Sequence, residues 1–188
     1  MAYITLATIT QFKPLDTGPP QDRAQTYATT VERYFARLIG FEPEAADATE
    51  RVNGSGTGIQ RLKRWPIKTV ASLTIDGAEV DVLGPSDDDL GQLVAISDDG
   101  RWLEHRTGVF SEGVKNIKVT YNAGWTASEL LDLALAGAMI VHLLISEVST
   151  IGLGATTIGD QQIQTIVRNS KDYQFIQDVV TSYTWRPF

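Results

Sequence analysis

The hydrophobic pattern of the chain changes its period twice. From about Asp22 to Ile39, Tyr27, Val31, Tyr34, Phe35 and Leu38 recur at three- and four-residue steps. That is one apolar helical stripe, with Glu32, Arg33 and Arg37 mostly off it. Gly40 follows as a helix stop. Leu6, Ile9 and Phe12 predict a shorter helix over 5–12, cut off by "LDTGPPQD", whose Pro19 and Pro20 suit the approach to a helix start. "EPEAADATE" reads as an acidic connector.

Between about 51 and 124 the period falls to two. "VASLTIDGAEVDV" places β-branched and apolar residues on both sides of Asp76-Gly77, a hairpin signal, and "LVAISDDGRWLE" repeats the plan around Asp99-Gly100. In "NIKVTYNAG", Ile117, Val119 and Tyr121 alternate with Lys118 and Thr120, as in a half-buried strand. A small antiparallel β-section is therefore expected between helices.

Helix resumes at Thr126, which with Glu129 has the spacing of a capping box. "LLDLALAGAMIVHLLI" (130–145) is apolar around nearly its whole circumference and must be covered on several sides. Ala134 and Ala138 form a small-xxx-small step for close helix approach, and His142 reads as a hydrogen-bonded core or interface histidine. "IGLGATTIGD" is a loop, and "QQIQTIV" alternates Ile163, Thr165 and Val167 as an extended arm would. A last helix over about 170–182 carries Tyr173, Ile176, Val179 and Val180 on one face, before the tail "YTWRPF". The expected class is α+β: a helical bundle (about 5–40 and 126–183) with an inserted β-section (about 51–124), all within one domain, 1–188.

Composition narrows the chemistry. A net charge of −7 argues against general DNA affinity, which needs a basic face. The absence of cysteine removes disulfide and thiolate chemistry and suits synthesis in a cytosol. The first residues have neither a basic start nor an unbroken apolar run, so no signal peptide is expected. The 16-residue apolar segment at 130–145 contains Asp132 and His142 and falls short of the roughly 20 residues of a membrane span, so a soluble chain is expected.

"NGSGTGIQ" lacks the Gly-Lys-Ser/Thr ending of a phosphate loop and the GxGxxG spacing of a dinucleotide fingerprint. Its glycines read as a turn leading into a strand. Arg61, Lys63 and Arg64 beside Trp65 suit a solvated strand face or ion pairs with an acidic neighbouring subunit, and less well a nucleic-acid backbone. The acidic runs "SDDDL" and "SDDG" lack the spaced oxygen ligands of a calcium loop. Neither His105 nor His142 joins a recognisable catalytic or metal-binding group, so no catalytic residue, cofactor or metal is expected. What remains is contact chemistry. Tyr183, Trp185, Arg186 and Phe188 have the composition of an interface anchor, or of a tail folded onto its own core.

In order along the chain, "YITLATITQF", "YATTVERYFARLIGF", "NGSGTGIQRLKRWPIKTVASLTIDG", "NIKVTYNAGWT" running into a long apolar helix, and "TIGD" before a terminal helix resemble the head–tail connector (adaptor) proteins of tailed bacteriophages. The proline-rich gap after the first helix and the acidic loop "LGPSDDDLGQ" depart from that pattern. The resemblance implies a virion neck protein without catalytic residues or cofactor, forming a ring, commonly of twelve copies. Such a ring docks on the portal, meets a downstream neck or tail-completion protein, and passes genomic DNA without sequence-specific binding. It points to Tyr173, Ile176, Val180, Tyr183, Trp185, Arg186 and Phe188 as the portal-facing set. Ala134, Ala138, His142, Arg61, Lys63 and Arg64 are the candidates for contact between subunits. Another neck or tail-completion ring protein, or a small nucleotide- or nucleic-acid-binding protein, is the competing reading.

Overall fold

The computed structural model describes residues 3–15, 19–83, 93–151 and 160–184. The chain divides into a helical unit built from both ends, Met1–Glu44 and Thr126–Phe188, and a β unit, Ala45–Trp125. The class is α+β.

In the helical unit, α1 (Leu6–Phe12) is capped by Thr5, whose hydroxyl accepts from the Thr8 N–H at 3.2 Å. Before it, the Ile4 N–H donates to Glu32 Oε1 of α2 (Pro19–Ile39) at 2.8 Å, tying the incoming chain to that helix. The predicted α2 stripe buries Tyr27, Val31, Tyr34 and Phe35, but Ile39 turns inward where Leu38 was expected, and Leu38 is exposed. Gly40 adopts φ 97°, and its N–H closes the helix on the Ala36 carbonyl.

The Thr126–Glu129 capping box forms, with the Thr126 N–H on Glu129 Oε2 at 2.7 Å and the Glu129 N–H on Thr126 Oγ1 at 3.4 Å. The regular helix α3 (Leu131–Ile151) starts after this turn. It is covered by α1, α2, α4 and α5 of its own chain, with Leu133, Ala136, Ile140, Val141 and Leu144 fully buried. Each large side chain among them contributes about 1.5–3 kcal/mol by leaving water. At Gly137 α3 packs closely on its neighbours: a Cβ there would stand 2.2 Å from Ile4 Cδ1 and 3.3 Å from the Phe35 ring.

The segment expected as an extended arm is a helix, α4 (Asp160–Arg168). Ile163 and Val167, four residues apart, are both buried on one face, while the Thr165 hydroxyl folds back on the Gln161 carbonyl at 2.9 Å. The alternation of Ile163, Thr165 and Val167 is equally compatible with a helical i, i+4 pair, and packing chose the helix. α5 (Tyr173–Ser182) follows.

The β unit begins earlier than the sequence pattern implied. β1 (Ala46–Gly54) takes half of the presumed acidic connector because Ala48 and Val52 pack on the core while Asp47, Thr49 and Arg51 point outward. β1 pairs with β8 (Gly113–Ala123), which also pairs with β3 (Ile67–Ile75); β3 pairs with β4 (Ala78–Val80). A second sheet has the order β2 (Ile59–Arg61), β7 (Trp102–His105), β6 (Val94–Ile96), β5 (Val82–Leu83). The section is not wholly antiparallel: β5 and β6 run parallel, Val82 opposite Val94. Asp76 and Gly77 both take positive φ and make the predicted hairpin, with Ile75 opposite Ala78. Ile67, Leu73, Val94, Leu103, Phe110, Ile117, Val119 and Tyr121 form the unit's core. "LGPSDDDLGQ" lies, beyond Leu83, outside the described residues.

The glycine stretch connects β1 to β2. A Cβ on Gly54 would fall 1.7 Å from the Ser111 carbonyl oxygen, an approach only glycine permits, whereas the space at Gly58 is ordinary, with Gly108 O at 3.6 Å. Gly54→Ala is therefore expected to destabilise the protein by about 1–3 kcal/mol in urea unfolding, and Gly58→Ala to stay within about 0.5 kcal/mol of the parent. Glu32 yields a second expectation. Burial, helped by nearby Glu42, raises its carboxyl above the ordinary range, against the lowering pull of the Ile4 and Tyr3 N–H groups. The folded state thus holds this proton more tightly than the unfolded chain. The associated stability is complete below the unfolded value and lost as pH rises through the folded one. Glu32→Gln, which keeps an oxygen for the Ile4 N–H, should gain in Tm relative to the parent between pH 4 and pH 7; a difference independent of pH would contradict the assignment.

Candidate assembly surfaces

The seven residues expected to face a portal divide into three groups. Ile176 and Val180 are buried at 1% and 6% exposure on the inner face of α5. Tyr183 is buried too, and its hydroxyl donates to the Glu129 carbonyl at 2.5 Å, fastening the end of α5 to the turn before α3. Burial, then the charges of Asp132 and Glu129, raise this phenol, keeping it a donor. Tyr173 is half-buried, and Trp185, Arg186 and Phe188 lie outside the described residues. As far as Thr184, then, the terminal apolar stripe packs on its own bundle.

Tyr173 and Val180 line a cleft of about 340 Å³ with Tyr34 and Leu38 of α2 and Val167 and Arg168 of α4. Gln164, Gln177, Thr181 and Thr184 supply hydrogen-bonding groups around it. Sequence reasoning missed Phe175, which is 42% exposed on α5. The available signal was its position off the Tyr173, Ile176, Val180 stripe: a large apolar residue on the other face of an amphipathic helix has nothing of its own chain to cover it.

Of the candidates for contact between subunits, Ala134 and Ala138 are buried, His142 and Arg64 are half-buried, and Arg61 and Lys63 are exposed. Ala134 and Ala138 are buried at 4% and 0% exposure inside the helical unit, so the close approach they permit is between helices of one chain and leaves no surface for another copy. His142 is half-buried, its Nε2 3.0 Å from the Ile9 carbonyl oxygen and its ring 5.5 Å from that of Phe12. Arg61, Lys63 and Arg64 spread from edge strand β2 into the turn before β3. There the Lys63 and Arg64 N–H groups donate to Glu50 Oε1 and Tyr121 Oη at 3.0 and 3.3 Å, and the Tyr121 hydroxyl donates to Glu50 Oε1 at 2.5 Å. Burial and this bond to Glu50 push the Tyr121 phenol far up, so it remains protonated. Next to them Trp65 meets Trp125 edge-on at 4.9 Å, and the Arg101 guanidinium lies 5.4 Å from a Trp65 ring.

His105 packs edge-on against Phe110 at 5.7 Å in the β unit, and His142 belongs to the helical unit. Among the described residues no group of three or more His, Asp or Glu side chains is placed to hold a metal, and no helix is long and apolar enough to cross a membrane.

No family model and no curated protein matches the sequence. Solved structures do match in three dimensions. A chain from the neck of an empty gene transfer agent particle, computed with C6 symmetry, superposes with a TM-score of 0.55 at 14% identity, over 98% of this chain and 94% of that one. The two share a fold. A chain from the native particle's neck, computed with C12 symmetry, gives 0.47 at 15% identity over 98% and 93%. One from the virion of the native gene transfer agent particle gives 0.49 at 16% over 99% and 92%. These two scores are too low to carry weight of their own.

With Tyr183 read as a fastening and Phe175 as free surface, Tyr183→Phe should lower stability to urea by about 1 kcal/mol. Phe175→Ser should leave it within about 0.5 kcal/mol of the parent.

Proposed function

We propose that this chain is a structural neck component of a phage-like virion: a head–tail connector (adaptor) that assembles as a ring, docks on the portal and extends the DNA channel toward the tail. The observation that carries the reading is the fold shared, from end to end, with a chain of the gene transfer agent neck. The order of elements supports it: two helices, a β excursion, the long apolar helix α3 and two terminal helices. The whole chain, 1–188, would act as one connector subunit, its partners being further copies, the portal and a downstream neck or tail-completion protein.

Physically, the surface favours contact over turnover. Leu131, Phe12 and Phe175 of the helical unit, and Val114 of the β unit at 84% exposure, stand in solvent as large apolar side chains. Packing between copies or against a platform would remove them from water. The portal-facing part would comprise the cleft around Tyr173 and the segment 185–188; that Ile176 and Tyr183 are fastened inside the bundle, with little surface to give, supports this choice.

Native mass spectrometry of the protein mixed with its purified portal is expected to show a closed ring bound to the portal. A ring that ignores the portal but binds tail components would favour a tail-completion role, and a lone monomer with both would refute ring function. Removing Trp185–Phe188 should weaken portal binding at least tenfold while shifting Tm by only a few degrees, because a terminus makes few core contacts. Equal loss of both would place the tail in the core.

A further inference from the structure

One sheet face in the β unit has an arrangement that folding does not account for. Arg51 of β1 stands directly opposite Lys118 of β8, and both side chains are exposed. Like charges in directly opposed positions destabilise a sheet. Among the described residues neither cation has a carboxylate partner. Asp47 accepts from the Asn122 amide at 2.8 Å and Asp76 from the Asn116 amide at 3.1 Å. Glu79 is two strands from Lys118, across Thr74, or about 9–10 Å at normal strand spacing.

Toward one end of the sheet the next outward positions are hydroxyls, and beyond them come Asp47 and Asn122. Thr49 and Thr120 face each other with their oxygens 3.0 Å apart, and Ser72 lies opposite Thr120 on the other side. The outward row formed by positions 47–51, 118–122 and 69–74 holds no aromatic and no large apolar side chain, since Val70, Leu73, Val119 and Tyr121 belong to the other face.

We infer that this face contacts the sugar–phosphate backbone of nucleic acid, without reading sequence. Two cations flanked by small hydroxyls are the side chains that meet phosphate oxygens. A protein partner would need an apolar or aromatic anchor, which positions 47–51, 118–122 and 69–74 lack; the exposed Val114 of β8 lies beyond them, on the far side of the register shift between Val52 and Gly54. Single-strand stacking would need aromatics, also lacking. With only two cations on a chain of net charge −7, the contact is weak and reversible. A channel wall needs that: it is wetted by DNA without holding it. The inference takes from the neck reading only the source of the nucleic acid.

The test is fluorescence anisotropy of a labelled 12-base-pair duplex with the full-length chain at about 20 mM salt. Binding is expected to weaken about sevenfold between 50 and 150 mM salt, as two phosphate contacts require. It should be lost in R51Q/K118Q and kept in K13Q, a charge control on the helical unit. Relieving the repulsion should also raise the Tm of R51Q slightly, which shows that the variant is folded. No binding by the parent, equal loss in K13Q, or stronger binding of a labelled polyglutamate peptide than of the duplex would overturn the inference. The last outcome would assign the face to an acidic protein segment. None of these failures touches ring assembly on the portal, which native mass measures separately.

Discussion

The helical unit depends on covering α3. A helix apolar around its whole circumference cannot rest at a surface, and α1, α2, α4 and α5 surround it. The buried leucines, isoleucine and valine of α3, at about 1.5–3 kcal/mol each, rival the whole net stability of a typical domain, about 5–15 kcal/mol. Two covering helices precede α3 in the chain and two follow it, so this unit forms only from both ends together. The β unit is the excursion between them. Its first and last strands pair, Ala46 opposite Ala123, and the Ala45 N–H reaches the Trp125 carbonyl at 2.9 Å, so the chain leaves and returns at adjacent points.

That economy decides which residues remain for partners. Apolar side chains that sequence reasoning assigned to contacts with other copies, Ala134 and Ala138 above all, are consumed in covering α3 from within one chain. Tyr183 is spent on Glu129. Among the exposed described residues are isolated large apolar side chains such as Phe175 and Leu131, suited to packing, and a polar sheet face around Arg51 and Lys118.

Legibility in the sequence followed the strength of the local pattern. α2, β8, the Asp76-Gly77 hairpin and the Thr126–Glu129 cap were readable because each has its own period or turn chemistry, and each was found close to its predicted place. The early start of β1 was hidden by Asp47 and Glu50, whose charges read as a connector. Asp47 in fact lies on the solvated side of an edge strand, and Glu50 is held by the Tyr121 hydroxyl and the Lys63 N–H. α4 was misread because three alternating residues fit two periods. Phe175 and the Arg51–Lys118 pair were not legible: the latter two lie 67 positions apart and meet only through strand register.

By itself the sequence determined the α+β class, the approximate position of the β excursion and the solvent-avoiding character of α3, because each follows from side-chain period or composition. Tertiary structure decided who covers α3, whether 160–168 is helix or strand, and which charges end up face to face. Those outcomes depend on contacts between residues far apart in the chain, and a local pattern carries no record of its distant partner.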